Sequence, residues 1–315
     1  MRRWLRFPDR FEEDDARRWI IRQGHEREEG RSVELAIEDA HNGAVLGGTS
    51  LLEVDAVVGC AQVGYWVRPE ARGRGVAVAA VGLLTEWAFA ELGLVSLRVE
   101  ANVDNEASHR VAQRCGFGPW AATEPAEGRT VTFVRAAEPA RPRTLLVRHG
   151  ETAYTAIARH ERAYDGSRRD LAPLTPRGVA QIVAVASRLR FAPPQLIVTS
   201  PYARALHSAA ILSRALDVEL AVDIDLHDWL PAPGRMSGLD QSAVDRAVEE
   251  FAGRARGDHR GPVTAETAEE VRSRVSAVLA RHSRPGTLLV MTHDTLIREA
   301  TGAPSAPVAS IHLAG

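Results

Sequence analysis

Two hydrophobic periodicities succeed one another along the chain. In the first part, Gly43–Glu53 and Gly59–Val67 are short strand-like runs and predict strands. Gly75–Leu92 returns its apolar residues every three or four positions after a Gly-rich turn and predicts a helix. Leu94–Ala101 predicts a strand, Asn105–Cys115 a short helix and Arg129–Arg135 a closing strand. From residue 144 onward the pattern alternates regularly. Thr144–Arg148, Gln195–Thr199, Val218–Asp225 and Thr287–Thr292 predict strands, and Thr175–Leu189, Tyr202–Leu216, Glu266–His282 and His293–Thr301 predict helices. Such alternation implies a largely parallel sheet covered by helices on both faces. Between the two parts, Ala136-Ala-Glu-Pro-Ala-Arg-Pro-Arg143 carries neither period and predicts a linker. The expected class is α/β with two domains, residues 1–135 and 144–315, joined by residues 136–143. No internal repeat or low-complexity tract interrupts this.

Composition narrows the picture. A chain of 315 residues is long for one core and comfortable for two. Hydrophobic residues at 45% and charged residues at 25% describe an ordinary soluble protein. A formal charge of -2 gives no general attraction to nucleic acid or anionic membrane, and no apolar run reaches the roughly 20 residues of a membrane-spanning helix. Met1–Arg10 alternates Arg with apolar residues and is not a signal peptide, so the expected location is cytoplasmic. Cys60 and Cys115 stand far apart without metal-ligand spacing and are expected to be small buried hydrophobes. All 39 basic residues are Arg. That excludes a lysine Schiff base and a P-loop lysine, lowers the weight of any Arg-rich stretch, and leaves phosphate binding intact because Arg grips phosphate bidentately.

Gly64-Tyr-Trp-Val-Arg-Pro-Glu-Ala-Arg-Gly-Arg-Gly-Val-Ala77 runs from a strand through a Gly-rich turn into a helix. Gly73 and Gly75 let the backbone approach a bulky anion, and the N–H groups opening the next helix supply donors and the positive end of its dipole. With Arg72 and Arg74 the turn suits a pyrophosphate; read alone, it is equally a loop of an Arg-rich chain. A second segment, Glu100-Ala-Asn-Val-Asp-Asn105-Glu-Ala-Ser108-His-Arg-Val111-Ala-Gln-Arg-Cys-Gly116-Phe117, is a strand end, a polar turn, an amphipathic helix and a Gly-Phe stop.

The Arg-x-x-Gly-x-Ala turn at Arg72–Ala77 and the Asn-x-x-Ser…Gly-Phe helix, in that order, resemble the GNAT acetyltransferase superfamily over roughly residues 3–135. The Gly-Tyr-Trp-Val-Arg-Pro run is most similar to its ribosomal-protein N-acetyltransferase branch. The resemblance implies a mixed sheet with helices and acetyl-CoA as co-substrate. Tyr65, Trp66 and Val67 would lie along the pantetheine arm. Arg72, Gly73, Arg74, Gly75, Val76 and Ala77 would hold the pyrophosphate, and Asn105 would contact the cofactor. The acceptor would be a small-molecule or protein amine. Acetyl transfer needs a base for the ammonium and an acid for the thiolate. Glu100 stands where some relatives carry the base, and Ser108 is a candidate acid, whereas the tyrosine many relatives use falls on Ala112. The family also opens with a strand and helix before the Arg6-Phe-Pro-Asp9 segment. Here Asp14–Ile21 reads as a helix, so the sheet is expected to begin near Gly43–Glu53. Its bare edge would then be covered by the second domain, a partner, or a longer natural N-terminus.

In the second part three strand-like runs end in groups suited to phosphate: Thr144-Leu-Leu-Val-Arg148-His149-Gly-Glu-Thr152, Ile197-Val-Thr-Ser-Pro-Tyr-Ala-Arg204-Ala-Leu-His207, and Leu288-Leu-Val-Met-Thr-His293-Asp294. In an open α/β sheet, ligands bind outside the carboxyl ends of the strands, where these groups would converge. With Leu174-Thr-Pro-Arg-Gly178, they make residues 144–315 similar to the histidine phosphatase (phosphoglycerate-mutase-like) superfamily. The resemblance implies a doubly wound, mostly parallel sheet with His149 as the nucleophile. Arg148, Arg204 and protonated His293 would neutralise the phosphoryl oxygens, without a metal. Asp228 is favoured as proton donor over Asp294. The substrate would be a phosphorylated small molecule or a phosphoprotein. Thr155 stands where relatives often carry Asn, and the last strand, near Ile311, is abbreviated.

Overall fold

In the computed structural model, which describes residues 12–120, 130–138, 142–154, 170–230, 241–255 and 265–314, the chain divides into two units, Met1–Ala140 and Arg141–Gly315. Thr155, Arg129 and residues 139–141 of the expected linker lie outside the described residues.

The first unit contains α1 (Glu13–Glu28), β1 (Val33–Glu38), β2 (Val45–Asp55), β3 (Cys60–Val67), α2 (Val76–Ala90), β4 (Ser96–Asn102), α3 (Glu106–Arg114), β5 (Gly118–Pro119) and β6 (Thr130–Ala136). Its sheet runs β1-β2-β3-β4-β6-β5. Every pairing is antiparallel except β3 with β4. One face buries Leu51, Ala61, Val63, Leu97, Val99 and Phe133 against Val81, Leu84, Ala88 and Phe89 of α2 and Ala112 of α3. Each such aliphatic or aromatic side chain contributes about 1.5–3 kcal/mol by leaving water.

The expectation that the sheet begins near Gly43–Glu53 is corrected: β1 pairs along β2 from Val33 opposite Leu51 to Glu38 opposite Val45. This strand escapes a hydrophobic reading because Leu35, Ala36 and Glu38 are exposed and the others only half-buried. A strand held on one side, with charged residues between its apolar ones, has the character of a guarded edge. The edge of β2 is therefore covered by the chain's own residues 33–38.

The second unit contains β7 (Arg143–Arg148), α4 (Pro176–Leu189), β8 (Leu196–Thr199), α5 (Ala203–Leu216), β9 (Leu220–Val222), α6 (Gln241–Ala255), α7 (Ala268–Arg281), β10 (Thr287–Thr292), α8 (Asp294–Thr301) and β11 (Ile311–Leu313). The sheet order is β11-β7-β10-β8-β9, parallel throughout except for β11. β8 and β10 are buried at every residue, as strands covered on both faces must be. On one face Leu146, Leu196, Val198, Leu288 and Val290 meet Val271, Val275 and Val278 of α7 and Leu296 and Ile297 of α8. Thr175 caps α4 by accepting from Gly178 N at 2.9 Å, and Thr267 with Glu270 forms a capping box on α7. The run expected as one strand over Val218–Asp225 is shorter: β9 ends at Val222, and Ile224–Leu226 forms a 3-10 turn whose start is capped by Asp223. No described helix is long and apolar enough to cross a membrane.

Candidate functional site

In the second unit the sheet register creates the site. Arg148 of β7 lies opposite Thr292 of β10, and Met291 of β10 opposite Thr199 of β8. Three parallel strands therefore end level, and the residues that follow them, His149, His293 and Ser200, emerge at one edge. The His149 and His293 rings lie 5.3 Å apart at 62°. Arg204 projects from the first turn of α5 and is 3% exposed. Two glycines pin this edge. A Cβ on Gly150 would sit 2.5 Å from Gly178 O, and one on Gly178 would strike Glu151 O. The loop after His149 thus packs backbone against backbone on the start of α4, which explains a glycine in both motifs.

The His149 ring has one tautomer open to it. Nδ1 lies 2.8 Å from Gly150 O, and a carbonyl only accepts, so Nδ1 carries the proton and Nε2 keeps its lone pair. Burial pushes the His149 pKa down to about 4; the Gly150 hydrogen bond opposes this, and the Arg204 charge assists it. His149 is neutral at pH 7. His293 is 1% exposed, and its Nε2 lies 2.8 Å from Ser200 Oγ. Its Nδ1 is 3.5 Å from Asp228 Oδ2, yet makes no hydrogen bond of good geometry with a described residue. Burial lowers its pKa, with Asp228 pulling the other way.

Arg204 donates to Asp228 Oδ2 at 2.9 Å and to Asp170 Oδ1 at 3.4 Å, and its guanidinium carbon lies 4.9 Å from the Tyr202 ring centroid. Burial works against the Asp228 charge, but His293 and Arg204 outweigh it and hold the carboxyl at about 2. Arg148 donates to Ala306 O at 2.5 Å and to Asp294 Oδ1 at 3.5 Å, while its Nε is buried without a described partner. Asp294 is otherwise occupied by Ala306 N at 2.9 Å and Arg298 at 3.6 Å. Arg204, Asp228 and His293 are thus joined through short contacts at one sheet edge, the His149 ring lies beside His293, and Arg148, the residue before His149, is bonded to Asp294 and Ala306. Such a cluster of cationic and N–H groups beside a neutral imidazole suits an anionic, tetrahedral ligand.

In the first unit the site is a parting of strands. β3 and β4 pair only from Cys60 opposite Ser96 to Gln62 opposite Arg98, although β3 continues to Val67 and β4 to Asn102. Beyond the fork the β3 edge that carries Tyr65, Trp66 and Val67 is free of β4, and an amide-bearing chain can pair there. At the far end of β3, Gly73 (φ 72) and Gly75 (φ 80) take the left-handed conformation. A Cβ on either would meet nothing within 4 Å, and Gly75 opens α2 with the N–H groups of Val76 and Ala77 in its first turn. Arg72 donates to Val67 O at 3.2 Å, and Arg74 lies 3.9 Å from Asp39. The open fork and the anion-binding turn fit the arm and pyrophosphate of acetyl-CoA.

Asn105 caps α3, accepting from Ser108 N at 3.2 Å. Ser108 Oγ lies 2.6 Å from Tyr65 Oη. Burial raises the Tyr65 pKa, so the phenol stays protonated. Glu100 is ion-paired with Arg98 at 3.1 Å, and Arg98 also binds Glu53 and Gln62. Ala112 is fully buried in the core. Sequence reasoning missed the Tyr65 phenol on Ser108, and in the second unit Ser200, Asp170 and Tyr202. Ser200 sat within the quoted Ser-Pro-x-x-Arg motif and was legible there; Asp170 carried no local signal. Among the described residues no group of three or more His, Cys, Asp or Glu is placed to hold a metal ion.

Two family models match: the histidine phosphatase superfamily (branch 1) over residues 144–311 and the acetyltransferase (GNAT) domain over residues 1–118. A Bacillus subtilis (strain 168) protein, YdaF, named provisionally as a ribosomal N-acetyltransferase, is 39% identical over 77 residues, 24% of this chain. The match spans 42% of that relative's own length. Among solved structures, Mycobacterium smegmatis RimJ in complex with a CoA disulfide is 20% identical with a TM-score of 0.38, over 43% of this chain and 69% of that one. Vibrio cholerae spermidine N-acetyltransferase in complex with CoA and spermine is 17% identical with a TM-score of 0.36, over 41% of this chain and 78% of that one. The chain belongs to the histidine phosphatase superfamily, and its phosphatase domain is fused behind an N-terminal acetyltransferase domain of the GNAT type.

Proposed function

We propose that the protein has two activities: hydrolysis of a phosphorylated substrate through a phosphohistidine, and transfer of an acetyl group to an amine. The observation that carries the first is the His149 ring. A buried, neutral imidazole with its proton fixed on Nδ1 presents the Nε2 lone pair among cationic groups. Nε2 attacks phosphorus as the bond to the leaving oxygen breaks, and Arg148 and Arg204 meet the charge on the phosphoryl oxygens, joined by His293 once the bound phosphoryl anion has drawn a proton onto its buried ring. Asp228 rather than Asp294 gives the leaving oxygen its proton. Asp294 is bound by Ala306 N and Arg298, whereas Asp228 borders both Arg204 and His293. A carboxyl at about 2 gains a proton only when an anion comes beside it, and the phosphate is that anion. Water then attacks the phosphohistidine with Asp228, now ionised, as its base. Acid-quenched protein labelled from a phosphoryl donor should carry acid-labile phosphate on His149 and none in His149→Ala; stable label elsewhere would overturn the mechanism.

For the first unit, acetyl-CoA bound along β3 and the Arg72–Ala77 turn supplies an activated acetyl group. Glu100 takes the acceptor's proton, and Ser108 protonates the departing sulfur. The acceptor is a small-molecule or protein amine. A second reading, in which this unit binds acetyl-CoA without turnover, draws on one observation: the Glu100 carboxylate that would take the acceptor's proton is already engaged by Arg98. Turnover against an amine panel separates the two, because the binding-only reading requires acetyl-CoA affinity with no acetylated product.

A further inference from the structure

Beside the phosphatase site lies a second charged pair that the mechanism above does not use. Glu266 precedes α7 and Arg274 lies within it, and both side chains are largely buried, 9% and 13% exposed. Arg274 grips Glu266 bidentately, Nε to Oε1 at 2.6 Å and Nη2 to Oε2 at 3.0 Å. Its remaining nitrogen, Nη1, donates to Asp225 O at 2.6 Å and His227 O at 2.9 Å. Glu266 holds the other end of the same stretch. Its N donates to Leu230 O at 2.9 Å, its Oε2 accepts from Leu230 N at 3.2 Å, and its O accepts from Trp229 Nε1 at 2.7 Å. Asp225, His227, Trp229 and Leu230 are thus all fixed by two residues, and Asp228 is the member of that run left to face Arg204 and His293. Past Leu226 the run belongs to no helix or strand, so no sheet or helix ladder positions it. A buried ion pair gains little over apolar residues of the same volume, so stability is a weak reason for this one.

We propose that Glu266 and Arg274 are positioning residues for Asp228, a clamp that fixes the Asp225–Leu230 turn so that the Asp228 carboxyl points at the phosphoryl site. The inference rests on the phosphatase reading and on Asp228 as donor. The step it serves moves a proton from Asp228 to the leaving oxygen while that oxygen's bond to phosphorus breaks and the His149 Nε2 bond to phosphorus forms. An error of about 1 Å in the donor costs on the order of a hundredfold in rate.

The test uses the full chain as wild type, Arg274→Met, Asp228→Asn and the double variant, on phenyl phosphate and para-nitrophenyl phosphate. The nitrophenolate leaves readily without a proton. Arg274→Met should therefore lower kcat/KM, which reads phosphoryl transfer to His149 and not the hydrolysis step common to both esters, about tenfold more on phenyl phosphate than on the nitrophenyl ester. The double variant should be no slower than Asp228→Asn alone, because the clamp acts through Asp228. Equal losses on both esters, or losses that multiply in the double variant, would overturn the proposal. Should Arg274→Met not fold, Glu266→Gln, which keeps the shape and loses the charge, should give the same pattern in weaker form. A readout without turnover is the NMR signal of the His293 ring. Because the Arg274 charge also acts on that ring directly, the variant to read is Glu266→Gln, which should shift it as Asp228→Asn does; a shift in Asp228→Asn alone would overturn the clamp. A wild type inert on both esters would overturn the phosphatase reading instead, and the His293 comparison would still decide the clamp.

Discussion

In the second unit three parallel strands end level and deliver His149, Ser200 and His293 to one edge, nearly buried and already bonded to their neighbours. In the first unit two parallel strands part after three paired residues, and the site is the gap they leave. One site is made of side chains held in place; the other is made of backbone left unpaired, with few side chains at its fork. The difference predicts different sensitivities. The phosphatase site should fail through single side chains, and the acetyltransferase site through backbone conformation and the hydroxyls at its rim.

The largest effect expected is at the nucleophile. His149→Ala should lower phosphate release by at least about 10⁴-fold, because the other imidazole at the edge, His293, has Nε2 on Ser200 and Nδ1 beside Asp228. Acetyl transfer should be unchanged in the same preparation. Loss of both activities would mean that the two sites are not independent, and full phosphate release would reject His149.

The same contrast governs what was legible beforehand. The strand-end motifs of the second unit named His149, Arg148, Arg204 and His293 because Arg148 ends a strand, the two histidines follow one directly and Arg204 opens the helix after another, so local pattern and three-dimensional position coincide. The glycines of Arg-His-Gly and Leu-Thr-Pro-Arg-Gly were readable as motif, but their reason, backbone contact between Gly150 and Gly178, is a long-range fact. Asp170 and the Glu266–Arg274 pair bear on the site from distant segments and left no local trace. In the first unit Gly73 and Gly75 announced their turn, whereas β1 did not announce itself, since an edge strand buries little. The Tyr65 phenol was hidden for another reason: strand alternation gives its face but not its partner on α3.

Next in size is a pH dependence that should run oppositely in the two units. A histidine ordinarily takes its proton near 6.5, and His149 in the folded chain does so only at about 4. Between those values the unfolded chain binds a proton the folded chain refuses, so, with the lowered His293 pKa acting in the same direction, His149 takes stability from the second unit as pH falls from about 6.5 to about 4. For this buried ring that is on the order of 3 kcal/mol. Glu34 in β1, lying opposite Ser50, is pushed by burial up to about 7 from an ordinary 4.5, against its hydrogen bond to Ser50. There the folded chain holds the proton more tightly, so the first unit loses stability as pH rises from about 4.5 to about 7. Hydrogen exchange corrected for intrinsic rate, read on β4 and on β10, should give slopes of opposite sign. Glu34→Gln and His149→Gln should each flatten its own unit's slope, and slopes of one sign would break the contrast.

Gly75→Glu tests the backbone-built site. It asks a non-glycine residue to hold φ 80 and places a carboxylate where the pyrophosphate would lie. Acetyl-CoA affinity measured by calorimetry should fall about a hundredfold. Phosphate release should not change, and unaltered acetyl-CoA affinity would remove the turn from the cofactor site.

The smallest effect, and the one that sharpens the contrast most, is at Tyr65. Its phenol lies 2.6 Å from Ser108 Oγ and 3.1 Å from Ser108 O. Ala112 cannot serve as an acid, so in the proposed transfer the departing sulfur takes its proton from the Ser108 hydroxyl. A serine hydroxyl rotates freely unless held, and a phenol kept protonated by burial can fix it. Tyr65→Phe keeps the ring and its packing while removing both contacts with Ser108. The expected result is about a tenfold fall in acetyl-transfer kcat with the KM for acetyl-CoA unchanged, the signature of an interaction that matters in the transition state rather than in binding. In a Ser108→Ala background the same change should cost nothing more, since the phenol would then have no hydroxyl to orient. A raised KM with unchanged kcat would assign Tyr65 to cofactor binding alone, and equal losses in both backgrounds would separate Tyr65 from Ser108 altogether.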